Sequence, residues 1–148
     1  MNIRKATLRD AEALRDLYFN HLTPNPPEQK QDMNAWRDKL VRFERSGTYH
    51  LLVGEIDGTI VSSVTLVIIE NLTNNCRPYA IIENVVTHTD YRHKGYAKQL
   101  MARATEIAEI ARCYKIMLLS SSKFENTTGF YGKCGFDSTE KAGFIKRL

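Results

Sequence analysis

The chain has 148 residues, of which 43% are hydrophobic and 26% charged, enough to bury one continuous core and too apolar for extensive disorder. Twenty-one basic residues against seventeen acidic ones give a net charge of +4. This suits an anionic ligand, but the basic residues are scattered from Arg4 to Arg147 without the aromatic-interleaved patch of a nucleic-acid binder, so no specific nucleic acid is expected.

Three widely spaced cysteines, Cys76, Cys113 and Cys134, have neither zinc spacing nor an even count for a disulfide framework. Reduced thiols in a cytoplasmic protein are the simpler reading, and no metal is expected. The start "MNIRKATLRDAEAL" lacks the apolar centre of a secretory signal, and "TIVSSVTLVIIE" is too short and polar to span a membrane.

In chain order, "NIRKAT" reads as a first strand. Thr7, with Asp10 three positions later, can cap a helix carrying Ala11, Leu14, Leu17 and Tyr18. The prolines of "NHLTPNPPEQ" end it, and Met33, Trp36, Leu40 and Phe43 mark a second helix before Gly47. "YHLLVGEIDGTIVSSVTLVIIE" holds two strands around Asp57-Gly58, a tight hairpin signal. After the polar loop "NLTNNCRP" comes the strand "YAIIENVVTH".

The longest helix follows, with Ala97, Leu100, Met101, Ala104, Ile107, Ala108 and Ala111 on one face. "YKIMLLSS" reads as a strand and "ENTTGFYGKC" as a short helix ending at Gly135. Two last strands are expected, around Phe136 and in "FIKRL". The order predicts one α/β (α+β) domain over residues 1–148, a mixed, mostly antiparallel sheet flanked by helices. The long helix crosses over between two parallel neighbours.

Strict alternation would put Glu83, Val85 and Thr87 on one face of their strand and Ile82, Asn84 and Val86 on the other. A carboxylate thereby approaches "DYRHKGYAKQL", where Arg92, His93, Lys94, Gly95, Tyr96 and Ala97 turn into the long helix. Amides at a helix start lack intrahelical partners, Gly95 allows close approach, and Arg92 and Lys94 add positive charge, so the segment can hold a phosphate. Glycine and basic residues at a helix start also serve turns and solubility. The Walker spacing and G-x-G-x-x-G are both missing.

The segment Arg92-His93-Lys94-Gly95-Tyr96-Ala97 resembles the phosphate-binding pattern of the GCN5-related N-acetyltransferase (GNAT) family: Arg or Gln, two residues, Gly, one residue, then Gly or Ala. It is preceded by "AIIENVVTH" and followed by "YKIMLLSS" and "FYGKCGF", so the likeness covers roughly residues 80 to 136. The resemblance implies acetyl-coenzyme A as cosubstrate, bound where the strand near Glu83 to Thr87 splays from the strand near Lys115 to Ser120. Backbone around Val85, Val86 and Thr87 would hold the pantetheine arm and thioester, residues 92–97 the diphosphate, and Asn126 the arm. A bulge near Asn84 is implied as well.

The same resemblance makes Tyr131 the proton donor to the departing thiolate. Glu83, by its position on the strand, is the first candidate for the base that takes the acceptor amine's proton, or for the group that orients the acceptor; the family has no single invariant base. Taken alone, Tyr131 could equally pack its helix and Glu83 could equally be an edge carboxylate. His88 can shape the turn, and His21 in the proline-rich connector can reach a substrate.

The implied function is transfer of an acetyl group to a primary amine by direct attack. The acceptor is an amine-bearing small molecule or peptide, and a homodimer is possible. "IIENVV", "CYKIMLL" and "FYGKCGF" resemble the aminosugar-phosphate branch, which implies a small phosphorylated amine. The alternative is a non-catalytic acyl-coenzyme A binding or sensing module.

Overall fold

The computed structural model describes residues 1–22, 31–120 and 127–148. Asn126 and the proline-rich connector after Leu22 lie outside the described residues. The chain resolves into two compact units, Met1–Met117 and Leu118–Leu148.

Among the described residues a five-stranded sheet runs in sequence order: β1 (Asn2–Lys5), β2 (Tyr49–Ile56), β3 (Thr59–Ile69), β4 (Tyr79–Thr87) and β5 (Ile116–Leu118). The first four pair antiparallel. The Tyr114 amide donates to the Pro78 carbonyl and the Ala80 amide to the Lys115 carbonyl, so the bonds climb β4 and β5 in the same direction. Parallel neighbours need a crossover, and the long helix supplies it, as its position in the chain predicts. Asp57 (φ 49°) and Gly58 (φ 79°) make the β2–β3 turn, both left-handed as a two-residue hairpin requires.

Helix α1 (Ala11–His21) is entered through a single 3-10 turn at Leu8–Asp10. The Thr7 amide donates to the Asp10 carboxylate at 2.7 Å, fixing the chain's entry angle. Asp32 accepts from the amides of Asn34 and Ala35 and so caps α2 (Met33–Arg45). Helix α3 (Tyr96–Ile110) stops where Arg112 turns left-handed. Residues Thr73–Cys76 form a turn in which Asn74, Asn75 and Cys76 all have positive φ.

Strand pairing sorts the side chains onto two faces. Leu51, Thr65 and Glu83 stand side by side, as do Val53, Ser63 and Val86. Helices α1 and α2 cover this face, joining Leu14, Leu17 and Leu40 to Leu51, Val53 and Val86 in one core. The opposite face carries Leu52, Val64, Leu66 and Ile82, against which α3 buries Leu100, Met101, Ala104 and Ala108. Each large side chain so buried contributes about 1.5–3 kcal/mol.

Two corrections to the sequence reading follow. One residue separates Ser63 from Thr65 on β3, whereas two separate their partners Val86 and Glu83 on β4, so β4 holds an extra residue. Asn84 absorbs it in the left-handed region, φ 52°, which asparagine tolerates better than most residues. Because the extra residue reverses the alternation, Glu83 shares a face with Val86 and not with Thr87. Thr87 lies opposite Ser62 on the α3 face.

The second correction concerns the terminal segment. Helix α4 (Thr127–Gly132) ends before Gly135, whose φ of 88° continues the turn, and no strand forms around Phe136 or in "FIKRL". Apolar residues there gain no sheet neighbour; Phe144 and Leu148 are exposed.

Candidate active site

The end of β4 is held by the side chains of Ser62 and Arg92 and by a backbone bond to β3. The buried Ser62 hydroxyl donates to the Val86 carbonyl at 2.7 Å and lies 2.8 Å from the Thr87 hydroxyl. Serine has one hydroxyl proton and the carbonyl takes it, so Thr87 donates to Ser62 and keeps only lone pairs for any other partner. The His88 amide donates to the Val61 carbonyl at 2.9 Å. Residues 86 and 88 therefore turn their polar backbone towards β3 and Thr87 turns its own away, towards the β5 side.

Arg92 braces the same point. Its Nε donates to the Thr87 carbonyl and its Nη2 to the His21 carbonyl, each at 3.2 Å, so one guanidinium ties the loop to the end of β4 and to the last turn of α1. His21 closes α1 and does not sit in the connector. Its ring lies 4.0 Å from that of His88, centroid to centroid. Burial, then the neighbouring His88 and Arg92, hold the His21 imidazole below its usual range, favouring the neutral ring.

Beyond Arg92 the backbone turns left-handed twice, at His93 (φ 61°) and at Gly95 (φ 80°). Lys94 donates to the Asp90 carbonyl at 3.1 Å with its ammonium 5.0 Å from the Tyr91 ring centre. Gly95 is the N-cap of α3 and supplies no side-chain cap. The first helical bond runs from the Gln99 amide to the Gly95 carbonyl, so the amides of Tyr96, Ala97 and Lys98 precede the ladder. A Cβ at Gly95 would meet nothing within 4 Å, so the turn itself is open at this position. Residues 92–95 are exposed and Tyr96 and Ala97 half-buried. Open amides at the positive end of a fifteen-residue helix, with cationic side chains beside them, fit a diphosphate.

On the α1/α2 face Glu83 is exposed and Val86 buried, and Val85 between them in the chain is half-buried. The bulge brings Glu83 opposite the buried Thr65 hydroxyl, with Tyr18 and Tyr49 nearby. Burial pushes both phenols up, and the charge of Glu83 adds to the effect at Tyr49. In the second unit Tyr131 lies on α4, its ring edge-on to Phe130 at 5.0 Å and to Phe136 at 6.2 Å. Among the described residues no group of three or more His, Cys, Asp or Glu side chains could hold a metal ion.

Val85, Val86 and Thr87 thus end the strand, a 3-10 turn at Thr89–Tyr91 follows, and residues 92–97 lead from it into the helix. Ser62 and Thr65 escaped the sequence reading. Their signal was two serines and a threonine inside an otherwise apolar strand, "TIVSSVTLVII".

A model of the acetyltransferase (GNAT) family matches residues 11–136. The chain belongs to the GNAT acetyltransferase family. Its matches include the glucosamine 6-phosphate N-acetyltransferase of Trypanosoma brucei brucei, 32% identical over 83% of this chain and 80% of that protein. A rice (Oryza sativa subsp. japonica) glucosamine 6-phosphate N-acetyltransferase is 27% identical over 80% of this chain and 70% of its own length. A solved protein from Agrobacterium tumefaciens, named only to the level of an acetyltransferase, is 34% identical, with a TM-score of 0.89 and full coverage of both chains. The five-stranded mixed sheet flanked by helices is this GNAT fold, and no helix among the described residues is long and apolar enough to cross a membrane.

Proposed function

We propose that the chain is an acetyl-coenzyme A-dependent N-acetyltransferase acting on a small phosphorylated amine. The observation that carries the reading is the Arg92 to Ala97 turn: two left-handed residues, a helix start without a side-chain cap and two cations, one 3-10 turn beyond a bulged strand. When bound, acetyl-coenzyme A supplies the thioester.

The residues divide the work as follows. Amides of residues 96–98 hold the diphosphate, with Arg92 and Lys94 adding charge and His93 lining the turn. Val85 and the Thr87 amide offer backbone to the pantetheine arm, whereas the Val86 and Thr87 carbonyls are taken by Ser62 and Arg92 and fix the strand end. Asn126 is a further candidate for the arm. The amine nitrogen forms a bond to the acetyl carbon, the carbon–sulfur bond breaks, Glu83 takes up or directs the proton lost by nitrogen, and Tyr131 gives a proton to sulfur.

The relatives' names motivate the acceptor class, and glucosamine 6-phosphate is the first amine to try. Cys76 and Cys113 are free thiols and Cys76 is exposed, which suits a reducing compartment such as the cytoplasm. Homodimerisation is carried as part of this proposal, with a single size-and-mass measurement to decide it.

Release of free thiol from acetyl-coenzyme A, measured against a panel of amines that includes glucosamine 6-phosphate, tests the function. Turnover with one of them is expected, and Tyr131→Phe is expected to lower kcat about 100-fold while leaving coenzyme affinity within about twofold. Saturable coenzyme binding without thiol release for any amine would favour the non-catalytic module.

A further inference from the structure

The amides of residues 88–92 carry the chain from β4 into the coenzyme turn, and each has a partner. The His88 amide donates to the Val61 carbonyl at 2.9 Å, Tyr91 to the His88 carbonyl at 2.9 Å and Arg92 to the Thr89 carbonyl at 3.2 Å. The other two go to imidazoles. Thr89 donates to Nδ1 of His21 at 3.4 Å and Asp90 to Nδ1 of His88 at 3.2 Å. An amide N–H can only donate, so each of these nitrogens offers its lone pair and each ring carries its proton on Nε2. The Thr89 hydroxyl, also 3.4 Å from the His21 nitrogen, can share that lone pair.

Of the two rings, His21 comes from outside the segment. His88 caps the turn that it begins, whereas His21 is the last residue of α1 and precedes Thr89 by 68 positions. It holds the junction twice, since its carbonyl also accepts from Arg92. From it a row of rings reaches the first residue of α3: His21 to His88 at 4.0 Å, His88 to Tyr91 at 5.5 Å and Tyr91 to Tyr96 at 6.4 Å. An eleven-residue helix is thereby fastened to the segment that leads to the Tyr96 amide.

Proton uptake at Nδ1 of His21 would undo this fastening. The new N–H would face the Thr89 amide, donor against donor, and the imidazolium would stand beside the Arg92 guanidinium. Burial, then His88 and Arg92, favour the neutral ring, and the Asp90 carboxylate opposes them. Arg9, Asp10 and Asp16 line the same hollow as His21 and His88, but Asp10 is engaged by Arg4 and Asp16 by Arg15. Each carboxylate there already has a cation.

We infer that His21 is a positioning residue for coenzyme binding: its unprotonated Nδ1 accepts from the Thr89 amide and holds the segment from Thr89 to Ala97 in the conformation that presents the α3 amides. The inference rests on the reading of that turn as the diphosphate site, and it gives coenzyme affinity a sign with pH. The folded value of His21 lies below its ordinary 6.5, so the fastening is complete above pH 6.5 and is lost as pH falls through the lower folded value.

Two measurements on the full chain test it, with His21→Asn and His21→Phe beside the wild type. The asparagine oxygen can stand where Nδ1 stands and does not titrate, whereas phenylalanine keeps a ring without an acceptor. In long-range 1H–15N NMR spectra of the imidazoles, His21 should be the Nε2–H tautomer at pH 8, and the Thr89 amide resonance should follow its titration. An Nδ1–H tautomer, or a Thr89 amide indifferent to His21, overturns the inference. In calorimetry with coenzyme A at pH 8, His21→Phe should bind about fivefold more weakly than the wild type and His21→Asn within about twofold of it. At pH 5 the wild type should have lost about fivefold relative to His21→Asn, a ratio from which the coenzyme's own titration cancels. Parallel pH curves overturn the inference. So does a wild type that gains on His21→Asn in acid, the mark of an imidazolium meeting the phosphate directly. If the Thr89 amide follows His21 but the wild type takes up no coenzyme at either pH, it is the diphosphate reading that fails, and the role inferred here falls with it.

Discussion

At Gly95 the backbone sits at φ 80° and ψ 6° with open space around the position a side chain would take. Any residue with a Cβ is strained there by about 1–2 kcal/mol whatever the room available. Gly95→Ala is therefore expected to weaken acetyl-coenzyme A binding about tenfold in calorimetry, because relief of the strain turns the amides of residues 96–98 away. Unchanged affinity would detach the turn from coenzyme recognition. The shape of this turn was legible in the sequence because it is local: residue types and spacing from Arg92 to Ala97 place a glycine and two cations at a helix start. The facing of Glu83 was not legible, since one extra residue at Asn84 is a property of how β3 and β4 pair. The contact of the Tyr18 and Ser63 hydroxyls was hidden for a similar reason, the two coming from different elements.

Among the elements, β1 and the start of α1 are joined by charge. Arg4 grips Asp10 through two bonds, 2.7 and 2.9 Å, and also reaches Glu55 on β2. Burial alone would raise the Asp10 carboxyl, but the Arg4 fork and the Thr7 amide outweigh it and hold the carboxyl below its usual range. A carboxyl depressed in the folded state stabilises above its unfolded value near pH 4, and that stability is lost as pH falls through the lower folded value. Asp10→Asn should accordingly lower stability at pH 7 by about 1–3 kcal/mol and flatten its fall in acid, both read from denaturant melts between pH 2 and 7. An acid limb as steep as the wild type's would remove Asp10 from the account. The Thr7 and Asp10 signal was readable because capping spans a few residues. The strands expected around Phe136 and in "FIKRL" were misread because alternation states which residues could form a strand, whereas a strand also needs a neighbour for its amides and carbonyls. Nothing in the local pattern shows whether one arrives.

At the scale of the whole molecule, four antiparallel strands and one parallel neighbour place a bulged strand end, a turn and the start of α3 in immediate succession. The family match over residues 11–136 includes that succession. The order of strands and helices was legible because each hydrophobic period is long; the parallel pairing of β4 and β5 followed from the helix between them. The account's central claim is that the open amides of α3 grip the coenzyme's diphosphate. A crystal structure of the chain with coenzyme A tests it most directly: the account predicts diphosphate oxygens within hydrogen-bond distance of the amides of Tyr96, Ala97 and Lys98, and a diphosphate bound away from them would contradict it.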